Sequence, residues 1–194
     1  MKLLPLGFVM LMLAGCIVIN ASPDGLNFSS LDTTPSETVK SVSLRGGGEI
    51  IIKRGDVHAF ENTGTSEGWQ YGYDDGGIVV GCDKDCRRSG DASATVYMTE
   101  LEDIALTGGG SMRTEGQFDH VRELNLAITG GGEIQAETAP ADEVNVSIVG
   151  GGEISVAAER ELNVSIVGGG QINYLGSPEI NRSIIGGGSV ERIR

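Results

Sequence analysis

Six glycine triplets open at Gly46, Gly108, Gly130, Gly150, Gly168 and Gly186, and the last four intervals between them are 22, 20, 18 and 18 residues. A period near twenty with one turn signal per period marks a repeat whose units cannot bury their own apolar faces and must stack on one another. Between the triplets the pattern is that of strands. Residues 123–129, 143–149, 161–167 and 179–185 all open Glu-apolar-Asn and, in the first three, place apolar side chains two apart, the spacing that puts them on one face of a strand. Leu124, Leu126 and Ile128, with Val144, Val146 and Ile148 and with Leu162, Val164 and Ile166, are the predicted core. A second short strand follows each triplet, as in Glu133-Ile134, Glu153-Ile154 and Gln171-Ile172. Glycine allows a tight corner and close approach of stacked backbones. The expected fold is all-β: a single parallel β-helix, a right-handed solenoid with coils of about 18–22 residues and Gly-Gly-Gly corners.

Residues 55–93 interrupt the repeat. The interval from Gly46 to Gly108 is 62 residues, close to three periods, yet only Gly76-Gly77 suggests a degenerate corner. An irregular insertion or cap is expected there. Trp69, Tyr71 and Tyr73 alternate on one face of a predicted strand, and bulky aromatics suit either the covering of a solenoid end or the stacking of sugar rings. Packing within a cap is the favoured reading, with these three residues kept as a candidate ligand surface.

Two polar rows recur at equal offsets. Asn125, Asn145, Asn163 and Asn181 are expected to stack as a structural ladder of amide hydrogen bonds. Glu133 and Glu153 stand just after their triplets, where stacked carboxylates could hold a hard cation such as calcium. Gln171 and Ser111 interrupt that row, so a solvated acidic face is favoured and no metal or other cofactor is expected. No triplet is followed by Gly-Lys-Ser/Thr, and no Gly-x-Ser-x-Gly elbow occurs, which removes the usual nucleotide-binding and nucleophilic-serine signatures.

The N-terminus assigns a location. Lys2, an apolar run from Leu3 to Leu13 and the sequence Leu13-Ala14-Gly15-Cys16 have the order of an export signal. The run is shorter than the roughly 20 residues a membrane span needs. Leu-Ala-Gly-Cys resembles the lipobox of bacterial lipoproteins, which implies cleavage before Cys16, palmitate-type acylation of that cysteine and a stable membrane anchor. Ile17 rather than aspartate follows the cysteine, which favours sorting to the outer membrane. Cys82 and Cys86 remain as an expected disulfide in an oxidising compartment. The formal net charge of -13 disfavours nucleic acid as a partner. The expected domains are a signal peptide over 1–15, a lipidated N-terminus and flexible tether over 16–38, and the β-helix over 39–193.

The run Glu100 to Gly108, the repeated Ser-Ile-Val-Gly-Gly-Gly-Glu-Ile, and the ending Ile172 to Pro178 followed by Ser183 to Val190 resemble the GIN domain, a family named as an auto-transporter adhesin head. The resemblance covers roughly Val39 to Ile193 and implies adhesion on a parallel β-helix. In that family the corners usually read Gly-Ser-Gly or Gly-Ala-Gly; here the middle position is also glycine. No catalytic residue is carried over. The long C-terminal barrel of an autotransporter is not present, so a lipid carrier is expected instead. The expected function is a noncatalytic, lipid-anchored envelope module that binds a glycan or a surface protein. The rival is a glycan-processing enzyme that uses the Trp69 to Tyr73 surface and the acidic row.

Overall fold

The computed structural model describes residues 31, 32, 34, 38–64, 69–74, 76–82 and 92–194, without the side chain of Cys82. The expected signal, Cys16, most of the tether and the Cys82–Cys86 bond lie outside the described residues.

The described chain is all-β. Its strands are β1 (Ser41–Gly46), β2 (Glu49–Arg54), β3 (Ala59–Asn62), β4 (Trp69–Asp74), β5 (Gly77–Cys82), β6 (Ser93–Met98), β7 (Asp103–Gly108), β8 (Ser111–Glu115), β9 (Val121–Gly130), β10 (Glu133–Gly150), β11 (Glu153–Gly168), β12 (Gln171–Leu175), β13 (Glu179–Gly186) and β14 (Ser189–Arg192). Strands that precede a triplet pair in parallel: β1 with β7, β7 with β9, β9 with the end of β10, then the end of β11 and β13. Strands that follow a triplet form a second parallel row of β2, β8, the start of β10, the start of β11, β12 and β14. Because β10 and β11 run through both rows, the fourteen strands make one curled sheet.

The core lies inside the curl. Leu44, Leu106, Ile128, Ile148 and Ile166 are register partners across the first row, and Ile50, Met112, Ile134, Ile154 and Ile172 across the second. All of them are buried. Burying such a side chain contributes about 1.5–3 kcal/mol, so each added repeat extends one continuous apolar column. The predicted core rows occupy this column.

The expectation of a single parallel β-helix is corrected, because the sheet is mixed. β3 pairs antiparallel with β6, and β4 antiparallel with β5. The expected corner at Gly76-Gly77 is instead part of a hairpin turn, in which Asp74 and Gly77 are paired and Gly76 has a φ of 74°. The sequence Asp75-Gly76 is a strong signal for a two-residue hairpin. The chain reverses there and does not climb to another repeat. Within the expected tether, Asp32 exchanges two backbone hydrogen bonds with Tyr73.

The three glycines of a triplet do different work. The first has a positive φ, 129° at Gly150, and a Cβ there would lie 2.2 Å from the carbonyl oxygen of Gly130. A Cβ on the third, Gly152, would meet both the Gly132 carbonyl and the Ile128 side chain. A Cβ on the middle one, Gly151, would meet nothing within 4 Å. Only the first and third positions require glycine for contact or conformation. The serine or alanine seen in the resembling family falls at the open one.

Candidate functional site

The corners of successive repeats line up because each is hydrogen-bonded to the one before. Gly131 N–H donates to Gly108 O at 3.0 Å, and Glu133 N–H to Gly110 O at 3.1 Å. The aligned corners form the floor of an open groove of about 730 Å³, lined by Gly48, Gly110, Gly132, Glu49, Ser93 and Glu133 among others. Its floor is backbone. The Trp69 ring lies against Gly48 from the core side, packed on the buried cluster, and is not among the residues that line the groove.

The row of residues after the triplets is in register as Glu49, Ser111, Glu133, Glu153, Gln171 and Ser189. Its carboxylates have partners of their own. Arg113 Nε donates to Glu49 Oε1 at 2.9 Å, Gln135 donates to Glu133, and Asn173 Nδ2 donates to Glu153 Oε1 at 2.7 Å. Arg113 also bridges to Glu115, whose carboxyl is held below its usual range first by its hydrogen bond to Lys53. Glu133 lines the groove, while Glu153 is not among its lining residues.

The aromatic residues pack on one another. Tyr71 stacks on Phe60 with ring centroids 4.2 Å apart, which joins β4 to β3, and meets Tyr73 edge-on at 6.1 Å. Tyr73 in turn meets His58 edge-on, and its hydroxyl lies 2.9 Å from His58 Nε2. Burial holds His58 below its ordinary pKa of 6.5 and raises the Tyr73 phenol, so at neutral pH the pair is an uncharged contact. Trp69 and Tyr73 are half-buried; Tyr71 is 43% exposed. One face of Tyr71 is occupied by Phe60, which leaves only its far side and edge for a ligand.

The asparagine row lies on the outer face. Asn145 Nδ2 donates to Asn125 Oδ1 at 3.0 Å, Asn163 to Asn145 at 3.0 Å, and Asn181 to Asn163 at 3.1 Å. The chain of amides ends on Asp103, which accepts from Asn125 at 3.0 Å. Burial raises the pKa of Asp103, and that hydrogen bond acts in the opposite sense. Asn145, Asn163 and Asn181 also each donate to a glutamate of the preceding repeat, Glu123, Glu143 and Glu161. The sequence shows this second row as the Glu that always precedes Asn by two, a signal read there only as strand pattern. Beside it runs an exposed apolar stripe of Val149, Val167 and Ile185, 39%, 45% and 68% exposed.

The model of the family described as "Putative auto-transporter adhesin, head GIN domain" matches residues 32–178. The chain belongs to the GIN domain family. A comparison of this GIN domain with curated proteins finds no match. Among solved structures it is similar to one titled a putative adhesin from Bacteroides fragilis, with 18% identity, a TM-score of 0.49, and 81% of this chain and 93% of that one covered. A structure titled a putative lipid binding protein from Parabacteroides distasonis has 17% identity, a TM-score of 0.39 and the same coverage of both chains. A putative adhesin from Parabacteroides merdae has 14% identity and a TM-score of 0.34, again with 81% and 93% covered.

Proposed function

We propose that this GIN domain is a noncatalytic binding module of the cell envelope, with the groove over its glycine corners as the contact face. The observation that carries this reading is the groove itself, a floor of stacked backbone flanked by carboxylates that already have hydrogen-bond partners. A rigid, side-chain-free floor suits a flat or extended ligand, a glycan chain or a segment of a surface protein, and costs little ordering entropy on binding. The two parallel rows of the curled sheet hold this floor. Acylation of Cys16 anchors the domain, at the outer membrane as Ile17 favours, and Cys82 and Cys86 form a disulfide. Family membership and the lipobox support the envelope location.

The test is a glycan array run with wild type and Gly131→Trp, together with a product assay on the same polysaccharides with and without calcium. Gly131 faces open space and has no positive φ, so the variant fills the groove and keeps the fold. Binding by wild type that Gly131→Trp loses at least tenfold, without product, is the expected result. Turnover that disappears in Glu133→Gln would overturn the noncatalytic reading in favour of a glycan-processing enzyme. Binding that is equal in both proteins would place the contact face elsewhere.

A further inference from the structure

We propose that His120, Asp142 and Glu159 form a site for a divalent transition-metal ion of the zinc type, away from the glycine groove. The three residues come from three successive repeats. His120 immediately precedes β9, Asp142 lies in β10 and Glu159 in β11. Their ligand atoms all fall within 4.8 Å of one another. His120 Nε2 is 3.4 Å from Asp142 Oδ1 and 3.5 Å from Glu159 Oε2. These separations are long for a direct hydrogen bond, whose mode is about 2.9 Å. They match the spacing of about 3.4 Å between two ligands at tetrahedral angles around zinc, with bonds of about 2.0–2.2 Å. One imidazole nitrogen and two carboxylate oxygens also make a donor set that suits zinc better than calcium, which takes oxygen ligands. Three protein ligands leave one position for water.

The local fold explains why these side chains converge. Pairing between β10 and β11 slips twice, between Ala136 and Ala141 and between Ala141 and Glu143. The slips accommodate a 20-residue repeat beside an 18-residue one. At the second slip Asp142 of β10 lies opposite two residues of β11, Glu159 and Arg160, and such a bulge re-aims side chains out of the regular alternation. Asp142 turns Oδ1 to His120 and Oδ2 to Arg160, whose Nε is 3.8 Å away. The second oxygen therefore has a cation beside it while the first is left for the metal. A bound ion would clip three repeats together at the place where their register is weakest, and would stabilise the fold by mass action.

The experiment is a calorimetric titration of the EDTA-stripped full chain with zinc chloride, repeated on His120→Ala, Asp142→Asn, Glu159→Gln and, as a control, His58→Ala. Wild type and His58→Ala are expected to bind one equivalent that the other three variants lose or bind at least tenfold more weakly. Far-UV circular dichroism of the exposed Glu159→Gln variant checks that the loss is not unfolding. Cobalt in place of zinc should give the intense visible bands of a four-coordinate ion in wild type and His58→Ala but not in the other three variants. Absence of a zinc equivalent in wild type, or an equivalent unchanged by both His120→Ala and Glu159→Gln, would overturn the proposal.

Discussion

The two ends of the strand array are closed in different ways. At the N-terminal end the chain leaves the repeat, and β3 and β4 turn back antiparallel along the outermost strands of the two rows. Phe60 and Tyr71 then stack across the gap between them, so both edges are joined by side chains. At the C-terminal end no antiparallel strand lies along the last strands among the described residues. Among the described residues, β13 pairs only with β11 and β14 only with β12. Arg182 is the register partner of Val164, and so stands where Leu126 and Val146 face the core in earlier repeats. Ile184 is half-buried, in contrast to Ile148, its fully buried equivalent two repeats earlier. A repeat specifies a neighbour; ending the array takes residues that depart from it. One end uses an antiparallel aromatic cover, and the other uses charge.

The largest effect should come from placing one charge at equivalent core positions. Ile148→Asp buries an unpaired carboxylate between two repeats and should abolish the cooperative unfolding transition, a loss of more than about 4 kcal/mol. Ile184→Asp, at the open end, should cost well under half as much. Equal losses in thermal or urea denaturation would mean that the C-terminal end is packed as tightly as the centre.

The interior was legible in the sequence because each repeat aligns itself on the next. Once the triplets are superposed, the buried rows and the asparagine ladder follow from offset alone. The ends were not legible in that way. The 62-residue interval is close to a multiple of the period, which made Gly76-Gly77 look like a weak corner, although Asp75-Gly76 is a hairpin signal in its own right. The groove was half visible: its glycines were evident, but that Trp69 lies on Gly48 depends on the antiparallel return of β4. The His120, Asp142 and Glu159 cluster was hidden for a different reason. Those residues stand 10, 8 and 9 positions before their triplets, so no fixed offset links them, and only the register slips bring them together.

Restoring the repeat at the open end should be milder. Arg182→Val replaces the charge with the residue found at the same place in two earlier repeats, and should turn the edge into a template for a second copy. Sedimentation velocity should show concentration-dependent association of the variant where wild type stays monomeric. Unchanged sedimentation would mean that Arg182 does not guard the edge.

The smallest effect concerns the covered end and pH. Burial depresses the pKa of His58 in the folded chain, so unfolding takes up a proton once the pH drops below the unfolded value near 6.5. The His58 contribution is therefore complete above pH 6.5 and is lost as pH falls from there toward the depressed folded value, by up to about 1.4 kcal/mol for each pH unit crossed. The drop in Tm between pH 7.5 and 5.5 should be smaller in His58→Gln than in wild type. An equal drop would show that the imidazole is not desolvated beneath β4.

Hydrogen–deuterium exchange along the chain tests most directly whether the two ends differ as described. Slow exchange is expected through β9, β10 and β11, nearly as slow through β1, β2, β5 and β6 beneath the antiparallel cover, and fast through β13 and β14. Protection in β13 and β14 equal to that in β1 and β2 would contradict the account, because it would require a cover on the C-terminal end as effective as the aromatic one.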